Sequence, residues 1–303
     1  MSDTARARYD SVFRPGLFSG QTGIVTGGGS GIGRCIAHEL ASLSAHVILV
    51  GRKPEKLEAV AAEIAEDGGS AEFSAFDIRE EDAVTDAVAA LAEKHGRIDF
   101  LVNNAGGQFP AEVADISRKG WDAVIATNLT GGWQMMRAVF NASMKVNGGA
   151  IVNITADMHA GMPGMAHSGA ARAGMFNLTQ TAALEWGKYG VRVNAVAPGW
   201  IASSGMDTYG GATRAMIPYL KQHLPAQRLG SEAEVSAGVV FLLSPAAAFI
   251  TGVQMQIDGG APLGSRIWPL EDHDRCEVFN GFHRAVDPAV LRGEESGEEA
   301  GDA

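Results

Sequence analysis

With two cysteines in 303 residues, Cys35 and Cys276, the chain cannot build the multi-bridge framework of a small secreted domain, and a reducing cytoplasm is the compartment this usage predicts. No apolar run reaches the roughly 20 residues that cross a bilayer. The opening stretch MSDTARARYDSVFRPGLF has no continuous apolar core and no small-residue cleavage site, so it does not read as a secretory leader. The closing GDA is not a Ser-Lys-Leu type address. Basic residues number 24 against 35 acidic ones, and a net charge of −11 argues against nucleic acid or an anionic membrane as a partner. Glu294, Glu295, Glu298, Glu299 and Asp302 crowd that charge into the last ten residues. These absences together predict a soluble cytoplasmic protein.

What is present is alternation. Short β-branched runs at 45–51, 71–77, 97–106, 149–155, 191–199 and 252–260, after a first run in GQTGIVTGG, alternate with amphipathic stretches at 31–44, 54–66, 80–94, about 121–146, 168–187 and 231–243. Continuously apolar strands are buried on both faces. The pattern therefore predicts a single Rossmann-type α/β domain, a doubly wound parallel sheet with helices on both faces. Its extent is 17–262, between an N-terminal arm (1–16) and a C-terminal extension (263–303). In that extension Trp268, Phe279 and Phe282 are expected to pack on the domain or a neighbouring subunit, and the acidic end to be disordered.

TGGGSGIGR (26–34) leaves a strand and opens a helix, the setting in which a glycine pattern carries weight. Gly27, Gly31 and Gly33, with Ser30 and Ile32 between them, would let backbone amides at a helix N-terminus approach a pyrophosphate. At the end of the second strand an acid would grip ribose hydroxyls, but the chain reads Gly51-Arg52-Lys53. With Arg34 close behind the glycines, two guanidinium groups could receive a 2′-phosphate, so NADP(H) is preferred. If Arg52 and Lys53 merely solvate the strand end, NAD(H) stays possible.

These motifs, followed in order by Asp77-Ile78, NNAGG (103–107), TNLTG (127–131), IVNIT (151–155), VNAVAPGWI (193–201) and TGVQMQIDGG (251–260), resemble the short-chain dehydrogenase/reductase family over about 17–262. The resemblance implies adenine contact at Asp77 and Ile78, cofactor-side packing by Asn103, Ala105 and Gly106, and nicotinamide carboxamide contact from Pro198, Gly199 and Ile201. Within the family, two branches look equally similar. One is the peroxisomal trans-2-enoyl-CoA reductases, near the 2,4-dienoyl-CoA reductases; the other is the bacterial citronellol/citronellal dehydrogenases.

The family keeps a tyrosine and a lysine four residues apart on one helix face, where GMAHSGAARAG (164–174) holds Ser168 and Arg172. An aliphatic hydroxyl is a far weaker acid than a phenol, and an arginine stays charged and relays no proton. Counting back thirteen residues puts Thr155 at the family's serine, whereas counting forward from the strand gives Ala156; the helix asparagine maps to Asn128. A tyrosine expected four residues past the basic residue in the enoyl reductases is Phe176. Asp157, His159 and His167 remain as candidate acids or bases, and LEDHDRC (270–276) reads as a solvated turn, leaving no metal site.

The sequence favours NADPH-dependent reduction of the C=C bond of a trans-2-enoyl-CoA; the alternatives are oxidoreduction of an acyclic terpenoid such as citronellol or citronellal, and a silent cofactor-binding scaffold. The first asks only for donors that hold an enolate oxygen, with Thr155, Ser168 and Asn128 as organisers and Arg172 on the ribose. Small residues along 168–187, beside the helix near 121–146, resemble the family's four-helix interface and imply a homo-oligomer, a dimer or tetramer.

Overall fold

The computed structural model describes residues 8–263 and 270–294. Trp268 and all but the first of the terminal acidic residues lie outside them, as do residues 1–7 of the N-terminal arm.

Seven parallel strands form the sheet. In chain order the elements are β1 (Thr22–Thr26), α1 (Gly31–Ser42), β2 (His46–Gly51), α2 (Pro54–Glu66), β3 (Ser70–Ala75), α3 (Glu81–His95), β4 (Phe100–Asn103), α4 (118–147), β5 (Gly149–Ile154), α5 (Ala166–Trp186), β6 (Val191–Pro198), α6 (Glu232–Leu243) and β7 (Gln254–Ile257). The strands run β3-β2-β1-β4-β5-β6-β7, so the order reverses between β1 and β4. At such a switch point the crevice beyond the strand ends is the ordinary ligand site.

Strand alternation explains the two layers. Val47 and Leu49 of β2 join a core with Ile36 and Leu40 of α1, Leu57 of α2 and Val235 of α6. Ile48 and Val50 face a second core with Val88 of α3, Val139 of α4 and Met175 of α5. Helix α4 contains two π-helical stretches, Ala126–Gly131 and Phe140–Met144, and the first carries Asn128. Helix α6 starts on a capping box, with Ser231 Oγ accepting from Glu234 N and Glu234 Oε2 accepting from Ser231 N.

In the described part of the extension the 270–276 stretch is largely exposed, yet its backbone is tied to the domain. Arg228 donates to the Cys276 and Glu277 carbonyls (2.9 Å each), and His273 Nε2 lies 2.9 Å from the Pro225 carbonyl. Further on, Phe282 is buried against Tyr9, with ring centroids 5.7 Å apart, and Arg284 pairs with Asp67 at 2.7 Å. Phe282 therefore packs on its own domain. Next, Asp207 accepts from the amides of Ala289 and Val290 (2.9 Å each), fastening the last helical turn, Ala289–Arg292, to the segment that follows β6. Cys35 is buried and Cys276 exposed, both as free thiols. Among the described residues no helix is long and apolar enough to cross a membrane.

Phe282 ties both chain ends to α1, so Phe282→Ala should lower unfolding free energy by about 3–5 kcal/mol in a urea titration, the usual cost of emptying a buried aromatic site. A loss below about 1 kcal/mol would show that the extension contributes little to the fold.

Candidate active site

The turn between β1 and α1 is closed by its glycines. Gly27 sits at φ +67° and its amide donates to the Val50 carbonyl at 2.7 Å. A side chain at Gly33 would collide with the Gly27 carbonyl, so the backbone itself makes that contact. Ser30, at the N-cap of α1, makes no side-chain cap hydrogen bond, which leaves the amides at that helix start for another acceptor. Ile32 lines the same turn, half-buried. Thr26 and Asn104 form its far wall, and neither was singled out from the sequence. Thr26 Oγ1 accepts from the amides of Asn104 and Ala105 (3.0 Å each), and Asn104 Nδ2 donates to the Thr26 carbonyl at 3.0 Å.

The expected phosphate-binding residues separate. Arg52 and Lys53 are exposed at the end of β2, and Asp77 follows β3 with its carboxylate held below the ordinary range by Arg79. Arg34 does not join them. Its guanidinium is clamped to Glu63 of α2 through two hydrogen bonds (2.8 and 2.9 Å) and lies over the Phe282 ring at 5.1 Å. Two charge-assisted bonds in a fork geometry hold it there, so it is not free to join Arg52 and Lys53. Asn103 also turns inward, donating to Asn153 Oδ1 (2.9 Å) and the Gly132 carbonyl, while Ile78 packs beneath Gly131.

Arg172 of α5 reaches into the cleft. Its Nη1 donates to the Ile154 carbonyl at 2.7 Å, its Nη2 lies against Gly106, and its Nε has no protein partner among the described residues. Burial pulls its pKa down to about 10, so it remains a cation at neutral pH. Asn128 grips Gly107 from both sides of its amide, donating to the carbonyl and accepting from the N–H at 2.9 Å each.

The two hydroxyls expected to handle a substrate oxygen are already committed. Thr155 is buried and donates to the Val196 carbonyl at 3.0 Å, toward β6, leaving Ala156 at the strand exit. Ser168 is fully buried and donates to Gln108 Oε1 at 2.6 Å. Gln108 Nε2 in turn donates to the Tyr209 hydroxyl at 2.7 Å. Neither Gln108 nor Tyr209 stood out in the sequence, since their 101-residue separation hides the contact.

The ionisable candidates disperse. His167 is wholly buried, edge-on to Phe109, and neither ring nitrogen is hydrogen-bonded among the described residues. Asp157 is raised above the usual carboxylate range by burial and by the nearby Asp258 carboxylate. His159 is exposed, with Nε2 2.9 Å from the Gln254 amide nitrogen. The one grouping of potential metal ligands among the described residues, His46, Glu72 and His95, lies by the starts of β2 and β3, opposite the cleft.

Residues 27–262 match the family described as Enoyl-(Acyl carrier protein) reductase. The chain belongs to the short-chain dehydrogenase/reductase family. It is 61% identical to the solved citronellol catabolism dehydrogenase (AtuB) of Pseudomonas aeruginosa PAO1, covering 84% of this chain and 99% of that one, with a TM-score of 0.76. A structure from Beutenbergia cavernae, solved with NADP at low occupancy, is 35% identical over 83% of this chain and all of that one, with a TM-score of 0.77. The peroxisomal 2,4-dienoyl-CoA reductase of Danio rerio is 34% identical over 87% of this chain and 89% of its own length. This chain is thus a short-chain oxidoreductase of the kind that works with NAD(P), and the open α1 terminus, the close-packed glycines and the unpartnered Arg172 Nε fit that group.

Glu232, at the start of α6, adds an element the sequence did not flag. A side chain at Gly31 would lie 3.8 Å from its Oε1, so it borders the pyrophosphate turn, and burial raises its pKa to about 7. Below that pH it is neutral; above it a carboxylate borders the glycine turn. NADPH affinity should therefore fall about three- to tenfold more between pH 6 and 8 in wild type than in Glu232→Gln, measured by nucleotide fluorescence. Equal slopes in the two proteins would remove Glu232 from the site.

Proposed function

We propose that this chain is an NADP(H)-dependent oxidoreductase of acyclic terpenoids, interconverting an alcohol and an aldehyde of the citronellol type. The observation that carries this reading is the 61% identity to AtuB across essentially the whole of that chain. The bound group supplies hydride at its nicotinamide ring. Arg52 and Lys53 hold the 2′-phosphate, Asp77 and Ile78 border the adenine, and Gly27, Ser30, Gly31, Ile32 and Gly33 receive the pyrophosphate. Ala105 and Gly106 floor the cleft, Arg172 fixes the nicotinamide ribose, and Pro198, Gly199 and Ile201 border the carboxamide. Residues 17–262 make up the catalytic domain.

Reduction of a trans-2-enoyl-CoA is the second reading. It is favoured by the absence of a tyrosine from α5, where Ser168 and Arg172 stand at the family's paired positions, and by the likeness to the 2,4-dienoyl-CoA reductase. Exposed Leu184 on α5 and Trp121 and Trp133 on α4 support a homo-oligomer built on those helices.

Purified protein should reduce citronellal with NADPH and oxidise citronellol with NADP+, both faster than it consumes NADPH with a medium-chain trans-2-enoyl-CoA. The reverse ranking would establish the thioester reading, and cofactor binding without turnover of either would mean a silent scaffold. In the double variant Arg52→Ala/Lys53→Ala, NADPH affinity should drop about 10- to 100-fold while NADH affinity stays within about twofold, since only the 2′-phosphate loses charge-assisted bonds. Equal losses for both nucleotides would contradict the assigned preference.

A further inference from the structure

We propose that Tyr209 is the proton donor of the reaction, the phenol that α5 lacks, presented from the segment above the cleft and aimed by Gln108. This rests on the oxidoreductase reading above. The direction of the hydrogen bonds carries it. Ser168 has one proton and gives it to Gln108 Oε1 at 2.6 Å, and being fully buried it offers no hydroxyl to an incoming oxygen. That contact orients the Gln108 amide so that its Nε2 donates to the Tyr209 oxygen at 2.7 Å. A phenol that accepts a hydrogen bond keeps its own O–H free to donate, and the same N–H steadies the phenolate left behind.

The other candidates have other partners: Thr155 donates to the Val196 carbonyl, Asp157 lies beside the Asp258 carboxylate, His159 Nε2 meets the Gln254 amide, and His167 is sealed against Phe109. Of the four tyrosines, Tyr9 lies against Phe282, Tyr189 packs on Phe140 and Tyr219 is exposed. Tyr209 is the one that meets the Ser168 face. It is also braced: it follows the turn Ser204–Thr208, whose Met206 is buried and whose Asp207 caps the last described helical turn of the chain. The extension thus acts as a positioning strap for the donor.

In the reducing direction a C–H bond forms at the carbonyl carbon with hydride given up by NADPH, which is oxidised to NADP+, and the C=O π pair moves to oxygen. That oxygen takes the phenolic proton of Tyr209, forming the alcohol O–H. The Tyr209 phenolate, held by Gln108 Nε2–H, regains a proton from water. With an enoyl thioester the same proton ends on the α-carbon.

Tyr209→Phe should lose at least about 100-fold in kcat on whichever of citronellal or trans-2-enoyl-CoA wild type reduces, the ordinary scale of general acid catalysis. Its NADPH affinity, read by nucleotide fluorescence, should stay within about twofold, and Ser168→Ala, which frees only the far end of Gln108, should lose about tenfold. Tyr219→Phe, on the exposed side of the same segment, should match wild type. A readout without turnover comes from protein labelled at the tyrosine ring carbon that bears oxygen: four resonances, one removed by Tyr209→Phe, and that one displaced by Gln108→Leu. Wild-type kcat in Tyr209→Phe, damage from Ser168→Ala equal to that from Tyr209→Phe, or an unmoved Tyr209 resonance in Gln108→Leu would each overturn the proposal. If wild type reduces neither compound, the substrate reading fails by itself and the resonance decides whether Gln108 holds Tyr209.

Discussion

Gly33 of α1 lies so close to the Gly27 carbonyl that no side chain fits between them, and everything at the switch point depends on that contact. It sets the first turn of α1 directly beneath the end of β1. From there the amides after Ser30 open toward the crevice, and Thr26 can latch Asn104 and Ala105 into the opposite wall. A backbone approach of this kind trades side-chain packing for a surface of N–H groups, which suits an anion such as a pyrophosphate.

The catalytic end follows a different logic. Its small hydroxyls are turned into scaffolding: Thr155 ties β5 to β6, and Ser168 ties α5 to Gln108. Polar reach toward the cleft is then left to residues farther along the chain. The segment after β6 reaches that end, with Ser204 beside Gly31 and Tyr209 bonded to Gln108, and the C-terminal turn is fastened to it by Asp207 and by Val290, which packs with Met206, Ile217 and Leu220. Pinning both chain ends to α1 through Tyr9 and Phe282 makes this strap part of the domain's core and links its stability to the geometry of the site.

The layers, the strands and the glycine turn were legible in the sequence because each is a local pattern: buried strands as apolar runs, helices as periodic stretches, the turn as spaced glycines. Asn128 on α4 was singled out only through the family resemblance of TNLTG, and the π-helical stretch around it was not foreseen. Arg34 was misread because its partner, Glu63, lies on the next helix and is 29 residues away. Pairing across a helix gap depends on crossing geometry, which composition does not encode. The same holds for Gln108 and Tyr209, and for the docking of 270–294, where Arg228 reaches backbone carbonyls that no side-chain pattern announces.

The central claim is that a nicotinamide dinucleotide lies on the Gly27 to Gly33 turn. Calorimetric titration of NADPH into wild type and into Gly33→Ala, each first shown by circular dichroism to be folded, tests it most directly. Saturable binding of one nucleotide per chain in wild type is expected, with affinity at least about tenfold weaker in the variant, as one misplaced methyl group at a close-packed contact costs more than about 1 kcal/mol. Absence of saturable binding in wild type, or equal affinity in the two folded proteins, would contradict the claim.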